Sequence, residues 1–325
     1  MKKIIICAAV VLSCVAVFKL FPGKNNAGKV TTKKVTKICV CKVIEHEALN
    51  SVVSGMSEYL KSNSGNMNYS ISVETCQGNM ALASQIIAKF ASSGADIVVT
   101  VGTIPSQAAY KFAKAGKIKV VFSSVTNPDD ISPNIKNSNI TGVSNFVTIE
   151  PQLELFRRIQ PNLKNLGVIY NTGEANSTYI VERLRGICST MGLNLVEQGM
   201  SKIAELPQVT EKIATKVDAV FISNDNMALS GISNIISICR KNNVPVYVSD
   251  MDQVEKGCVA ALGPSQYDIG VQTGKIVQRI SDGEDINGIA VQYPETTELY
   301  INTKSISQSV LQIPQEIVSQ AKRIF

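Results

Sequence analysis

Short apolar runs rich in β-branched residues end, one after another, in small polar knots, and a helix-patterned stretch follows each knot. Ile38 to Ile44 ends at Glu45-His46, Ile97 to Val101 at Gly102-Thr103-Ile104-Pro105-Ser106, and Val120 to Phe122 at Ser123-Ser124-Val125-Thr126-Asn127-Pro128. Leu166 to Tyr170 ends at Asn171-Thr172-Gly173-Glu174-Ala175-Asn176-Ser177, Ala219 to Ile222 at Ser223-Asn224-Asp225-Asn226, and Val244 to Val248 at Ser249-Asp250-Met251-Asp252. Continuous apolar runs of this length suit strands covered on both faces, as in parallel sheets. Ligands of open parallel sheets bind beyond the carboxyl ends of the strands. The knots occupy those ends, so the chain reads as an α/β scaffold that presents loops to a small polar molecule.

Its 325 residues allow two ordinary domains. Much of the net charge of +6 lies at Lys2, Lys3, Lys19, Lys24, Lys29, Lys33, Lys34 and Lys37, which leaves the body close to balanced. No Lys/Arg run is interleaved with aromatics, so no nucleic-acid partner is expected. Met1-Lys2-Lys3 followed by apolar Ile4 to Phe18 has the layout of an export signal and is short for a membrane span. Val11-Leu12-Ser13-Cys14 also resembles a lipoprotein cleavage box, although Val15 to Phe18 stays apolar where such proteins turn polar. Residues 1–22 are therefore expected to be a signal peptide or a membrane or lipid anchor, and 23–36 a Lys-rich linker. This places the protein in the periplasm or on the outer face of the cytoplasmic membrane.

Cys39, Cys41, Cys76, Cys188, Cys239 and Cys258 fall in apolar contexts without CxxC spacing or a nearby histidine cluster, so no metal is expected. Buried free thiols are the expected state, with a bridge from Cys76 to Cys39 or Cys41 left open for an oxidising compartment.

Helical spacing marks His46 to Ser62, Asn79 to Ser92 and Pro105 to Ala115, and Tyr69, Ile71 and Val73 alternate as a strand. Near Thr141-Gly142-Val143-Ser144 the pattern restarts. Helices are predicted over Pro151 to Arg158, from a cap at Asn176 or Ser177 to Met191, over Glu205 to Thr215, and over Ser230 to Lys241. Beyond Gly263 come a helix from Tyr267 to Ile280, strands at Ile289 to Tyr293 and Leu299 to Ile301, and a final amphipathic helix. That tail is too short for a third domain, so it is expected to return over both halves. The prediction is α/β: two doubly wound parallel-sheet lobes, 37–144 plus 264–294 and 145–263 plus 295–325. Three crossovers near Ser144, Gly263 and Pro294 would form the hinge.

Taken in order, Glu45-His46-Glu47-Ala48-Leu49, Ser124-Val125-Thr126-Asn127-Pro128, Thr141-Gly142-Val143-Ser144, Gln152-Leu153-Glu154-Leu155, Gly167-Val168-Ile169-Tyr170-Asn171, Glu174-Ala175-Asn176-Ser177, Asp225-Asn226 and Leu299-Tyr300-Ile301-Asn302 resemble the ABC-transporter solute-binding proteins of the tryptophan/tyrosine-binding type. The resemblance implies a type I periplasmic-binding fold and capture of a small ligand, often an aromatic amino acid, for a membrane permease. It implies no catalysis and no cofactor. Glu47 departs from the proline common in that family, and the chain has no tryptophan, so any aromatic stacking falls to Tyr or Phe, Phe146 and Tyr170 among them.

An amino acid needs both its charges neutralised. Helix N-termini suit a carboxylate. Thr103 at the start of one helix, with Ser124, Val125 and Thr126 in the neighbouring loop, is the expected carboxylate site. Asp225 is the first choice for the ammonium, with Glu45 and Asp250 as rivals, and its loss is expected to leave the unliganded fold nearly untouched. Asn176 either bonds the ligand or caps its own helix. His46, the one histidine, reads as structural, since no nucleophile motif supports catalysis. The leading expectation is a monomeric, non-catalytic amino acid receptor. Its rivals are a sugar or other small-molecule receptor, and an enzyme using Glu45, His46 or Asp225.

Overall fold

The computed structural model describes residues 35–65, 67–308 and 311–325. The export segment, Cys14 and the linker up to Lys34 lie outside the described residues. Lobe 1 opens with β1 (Val35–Lys42), α1 (Glu47–Ser62), β2 (Asn68–Thr75), α2 (Met80–Ser92), β3 (Ile97–Val101), α3 (Thr103–Lys114), β4 (Lys119–Val125) and β5 (Ile140–Ser144). The strands form one parallel sheet in the order β2-β1-β3-β4-β5. All five residues of β3 are buried, as a strand covered by helices on both faces requires. β1 begins at Val35, so the last two residues assigned to the linker are strand, and Thr36 is buried.

Lobe 2 repeats the plan with α4 (Ile149–Ile159), β6 (Asn165–Asn171), α5 (Ala175–Met191), β7 (Asn194–Met200), α6 (Leu206–Ala214), β8 (Ala219–Ile222), α7 (Asn226–Ser230), α8 (Ile232–Lys241), β9 (Val246–Val248) and β10 (Ala260–Gly263). Next, α9 (Gln266–Ser281) returns to lobe 1. The chain then adds β11 (Glu298–Ile301), α10 (Thr303–Gln308), α11 (Gln315–Gln320) and β12 (Arg323–Ile324) to lobe 2. The second sheet runs β12-β11-β10-β9-β8-β6-β7, and its described pairs are parallel except β10 with β11.

Helix α9 closes lobe 1 by lying against α1 at backbone contact. A Cβ on Gly55 would stand 2.1 Å from the Tyr267 carbonyl oxygen, and one on Gly270 would stand 2.1 Å from that of Val52. Only glycine permits this approach. At the crossovers the Ser144 N–H donates to Gln292 O (2.8 Å) and the Gln292 N–H to Gly142 O (2.9 Å), which pins two connecting segments side by side.

Two predicted elements differ. Ile289 to Tyr293 makes a single bridge, Val143 with Gln292, rather than a strand, because the chain leaves the sheet at Pro294 for the other lobe. The tail is two short helices and an edge strand, with Pro314 just ahead of α11, where a continuous helix would need its missing N–H. The six cysteines named above are buried free thiols. Cys41 and Cys76 meet across β1 and the end of β2, unbridged.

Candidate ligand-binding site

Both sheets carry the same switch point. In lobe 1 the neighbouring strands β1 and β3 send their connections in opposite directions, and in lobe 2 β6 and β8 do so. The crevice between such diverging connections is where doubly wound sheets take ligands. The four loops concerned hold His46, Thr103, Asn176 and Ser223. Each presents a side-chain polar atom closed to solvent and without a hydrogen-bond partner: both His46 ring nitrogens, Thr103 Oγ1, Asn176 Oδ1 and Ser223 Oγ. Gln253 Oε1, beyond β9, is a fifth. Buried polar groups left unpaired are costly, and these five stand on loops at the carboxyl ends of the strands of both lobes, while Tyr69 OH and Asp130 Oδ2 are unpaired elsewhere in lobe 1.

In lobe 1, Gly102 turns the chain from β3 into α3 with φ +97°, and Val43 lies against the place a Cβ would occupy. The first turn of α3 thereby faces the crevice with Thr103 2 % exposed. Ser124 bulges out of β4 at φ +53° and donates to Gln266 Oε1 (2.9 Å). Thr126 donates to Asn145 Oδ1 (3.1 Å), and Val125 is buried in the core. The Ser124 and Thr126 hydroxyls are thus joined to segments beside the crossovers, and only Thr103 of the expected carboxylate set is free. Glu45 is engaged by Lys42 (2.7 Å) and Thr75 (3.3 Å), and Lys42 holds its carboxyl below the usual carboxylate range.

In lobe 2, α5 begins at Ala175 with Glu174 at its N-cap position, two residues before the earlier of the two predicted caps. Asn176 therefore sits inside the first turn instead of capping it. Its Nδ2 donates to Asn224 O (2.7 Å) and Glu174 Oε2 (3.2 Å), which leaves Oδ1 as the free end of the amide. Glu174, 3 % exposed, also accepts from Asn171 Nδ2 (3.1 Å), the Asn226 amide (2.6 Å) and the Met227 N–H (3.2 Å). Asp225 is fully buried, with both oxygens taken by backbone donors: the Ala228 N–H at 2.7 Å and the Asn171 N–H at 2.5 Å. Burial first, and the Glu174 carboxylate second, raise its pKa. Its expected part as direct ammonium partner meets a geometry in which it caps α7 and ties β6 to β8. Asp250 is likewise buried, accepting from the Asp252 N–H (3.0 Å) and Gln253 Nε2 (3.1 Å), and burial pushes it up to about 7.

The lobes meet across this crevice. Ser51 Oγ donates to Asp252 Oδ2 (3.1 Å), Lys256 pairs with Glu47 (2.8 Å), and the Asn226 side chain faces His46. Phe146 packs with Tyr179 (centroids 6.0 Å apart) under Arg183, and Tyr170 donates to Glu197 (3.4 Å), so both expected stacking candidates have partners of their own. Among the described residues, no group of three His, Cys, Asp or Glu is placed to hold a metal, and no helix is long and apolar enough to cross a membrane. Glu174, Ser223, Gln253 and His46 lie on the same loops and were not among the expected ligand contacts. Lying within a knot, or just past one for Gln253, was their only sequence signal, because which polar groups are paired depends on what the other lobe and the neighbouring strands leave over.

Over 290 residues the chain is 27% identical to the tyrosine-binding protein of Clostridioides difficile (strain R20291), covering 87% of this chain and 84% of that one. An ABC domain from Streptococcus pneumonia, solved in complex with L-Trp, matches with a TM-score of 0.84 at 25% identity, covering 89% of this chain and 99% of the other. The ligand-free, open structure of a substrate binding protein with adhesive properties from Clostridium difficile matches at 0.66 and 27% identity, covering 89% and 98%. The match to the L-Trp complex is nearer than that to the open structure, and the two lobes of this chain are joined by the Ser51–Asp252 and Lys256–Glu47 contacts. These neighbours are solute-binding proteins rather than enzymes. The family model for ABC transporter substrate binding proteins matches residues 37–325, and the chain belongs to that family.

Proposed function

We propose that the protein is the monomeric, extracytoplasmic receptor of an ABC importer for a free aromatic amino acid, held between the lobes at the two switch points. The observation that carries this reading is that His46, Thr103, Asn176 and Ser223, on the switch-point loops of the two lobes, each hold a buried polar atom without a partner. The first turn of α3 offers N–H groups, a partial positive charge and the Thr103 hydroxyl, which suit a carboxylate. Lobe 2 offers the reverse. Asn176 Oδ1 and Ser223 Oγ are free acceptors beside the buried Glu174 and Asp225 carboxylates, and this corner suits an ammonium. The relatives named for tyrosine and for L-Trp support an aromatic side chain.

Among the site residues, this assignment keeps Thr103 and Asn176 as contacts, makes Asp225 a positioning residue, and adds Ser223. The Glu45 and Asp250 carboxylates are spent within their own lobes. Calorimetry of the purified protein with tyrosine, tryptophan and phenylalanine tests the reading, with the deaminated acid, the decarboxylated amine and a pentose as controls. Binding of the amino acids with loss of both truncated analogues is the expected result. Binding of the pentose in their place would overturn it.

A further inference from the structure

We infer that His46 is the specificity-determining residue that reads a hydrogen-bonding group on the ligand's side chain, such as a phenol hydroxyl or an indole N–H. This rests on the reading of the ligand as an aromatic amino acid. His46 stands at the N-cap position of α1 but makes no capping bond, and neither ring nitrogen, though both are closed to solvent, has a partner of hydrogen-bond geometry; the polar side chain nearest in effect is Asn226 of lobe 2, which acts against burial to raise the ring's pKa. A histidine kept for structure alone would spend at least one nitrogen on its own lobe. Other unpaired groups are allotted by charge: the α3 terminus with Thr103 to the carboxylate, and Asn176 with Ser223 to the ammonium. Gln253 Oε1 and His46 remain; Gln253 has already given its Nε2 to Asp250, whereas His46 keeps both ring nitrogens, on the loop beside Thr103 and facing Asn226, whose Nδ2 is already given to Glu174.

The ring is neutral. Burial pushes its pKa down to about 4, and Lys256 and Lys42 add to the effect against Asn226 and Glu45. A neutral imidazole offers one donor and one acceptor. That pair matches a hydroxyl or an N–H and is a poor counter-ion for a carboxylate. A ligand lacking such a group, as phenylalanine does, leaves the pair unsatisfied in a dry site.

The experiment measures affinities of the full chain and of His46→Leu and His46→Asn for tyrosine, tryptophan and phenylalanine. The expected result in His46→Leu is about a 10- to 100-fold loss for tyrosine and tryptophan and less than about threefold for phenylalanine. His46→Asn, which keeps a donor and an acceptor, restores part of the split. Equal losses for all three ligands, or none, would overturn the assignment while leaving the amino acid reading intact. Wild-type protein that binds none of the three ends both. Two measurements on the wild type guard against a variant that fails to fold. The His46 ring nitrogens should shift in NMR with tyrosine but not with phenylalanine, and an equal response to both sinks the assignment. Calorimetry near pH 7 in buffers of different ionisation enthalpy should show no proton uptake. Uptake of about one proton that is absent in His46→Asn would instead make His46 the carboxylate's counter-ion, since the raised Asp225 and Asp250 can also exchange protons in this range.

Discussion

Lys256 Nζ on lobe 2 lies 2.8 Å from Glu47 Oε2 on lobe 1, so an ion pair joins the lobes next to the Ser51–Asp252 hydrogen bond. The Glu47 side chain is 65% exposed and that of Lys256 30%. Exposed pairs of this kind contribute about 0.2–1 kcal/mol. Lys256→Ala is therefore expected to weaken ligand binding by no more than about fivefold, chiefly through faster release. Stopped-flow dissociation at low and high salt checks it. The difference from wild type should shrink in high salt, and a salt-independent loss of a hundredfold would show that Lys256 touches the ligand.

Asp225 is expected to matter to stability as well as to binding. Asp225→Ala leaves the Ala228 and Asn171 N–H groups without acceptors inside lobe 2, a loss of about 2–4 kcal/mol. The folded pKa is raised above the unfolded value, so folding takes up a proton. That share of the stability is present at acid pH and is lost as pH rises through the folded pKa. The gap in melting temperature between wild type and Asp225→Ala, without ligand, should therefore narrow from pH 4 towards neutrality. A variant that melts with the wild type would return Asp225 to the list of direct ligand contacts.

The contact between α1 and α9 gives a prediction with its own control. Gly55→Ala drives a methyl into the Tyr267 carbonyl, backbone against backbone, and should cost about 1–3 kcal/mol or more. Gly186, in α5, has nothing within 4 Å of a new Cβ. Gly186→Ala should stabilise by about 0.5–1 kcal/mol through helix propensity alone. Denaturant unfolding of the two variants measures the contrast, and equal behaviour would refute the close crossing.

The lobes were legible in the sequence because β-branched runs such as Ile97–Val101 have one physical use, a strand covered on both faces. The tail was less so: Pro314 breaks a pattern whose spacing is helical, and Pro294 marks a crossing that periodicity reads as a strand. Thr103 and Asn176 were legible as residues of strand-end loops because Gly102 and the knot after β6 mark those ends. Asp225 was harder. An acidic residue at a strand end looks the same whether it faces a ligand or caps the next helix, and its second partner, the Asn171 N–H, is 54 residues away. His46 was read as structural, and its unpaired ring nitrogens had no sign in the sequence, because a lone histidine shows its missing partners only when both lobes are in place.

His46 also sets a pH dependence that needs no ligand. Its folded pKa is about 4, depressed below the usual 6.5 by burial and then by Lys256 and Lys42, while Asn226 and Glu45 oppose the shift. The unfolded chain therefore binds a proton at a pH where the folded protein does not. The stability this residue allows is fully present above about pH 6.5 and is lost as pH falls towards 4. Asp225 and Asp250 slope the other way over the same range, so the raw melting curve mixes the contributions. Subtracting His46→Gln isolates the histidine, since the amide has similar polarity and does not titrate. The wild type should lose melting temperature relative to His46→Gln step by step between about pH 6.5 and 4, and the two should run parallel above pH 7. Parallel curves throughout would mean that the imidazole titrates normally in the folded protein. It would then be open to water, and the crevice would not be the closed, dry site that its unpaired groups require.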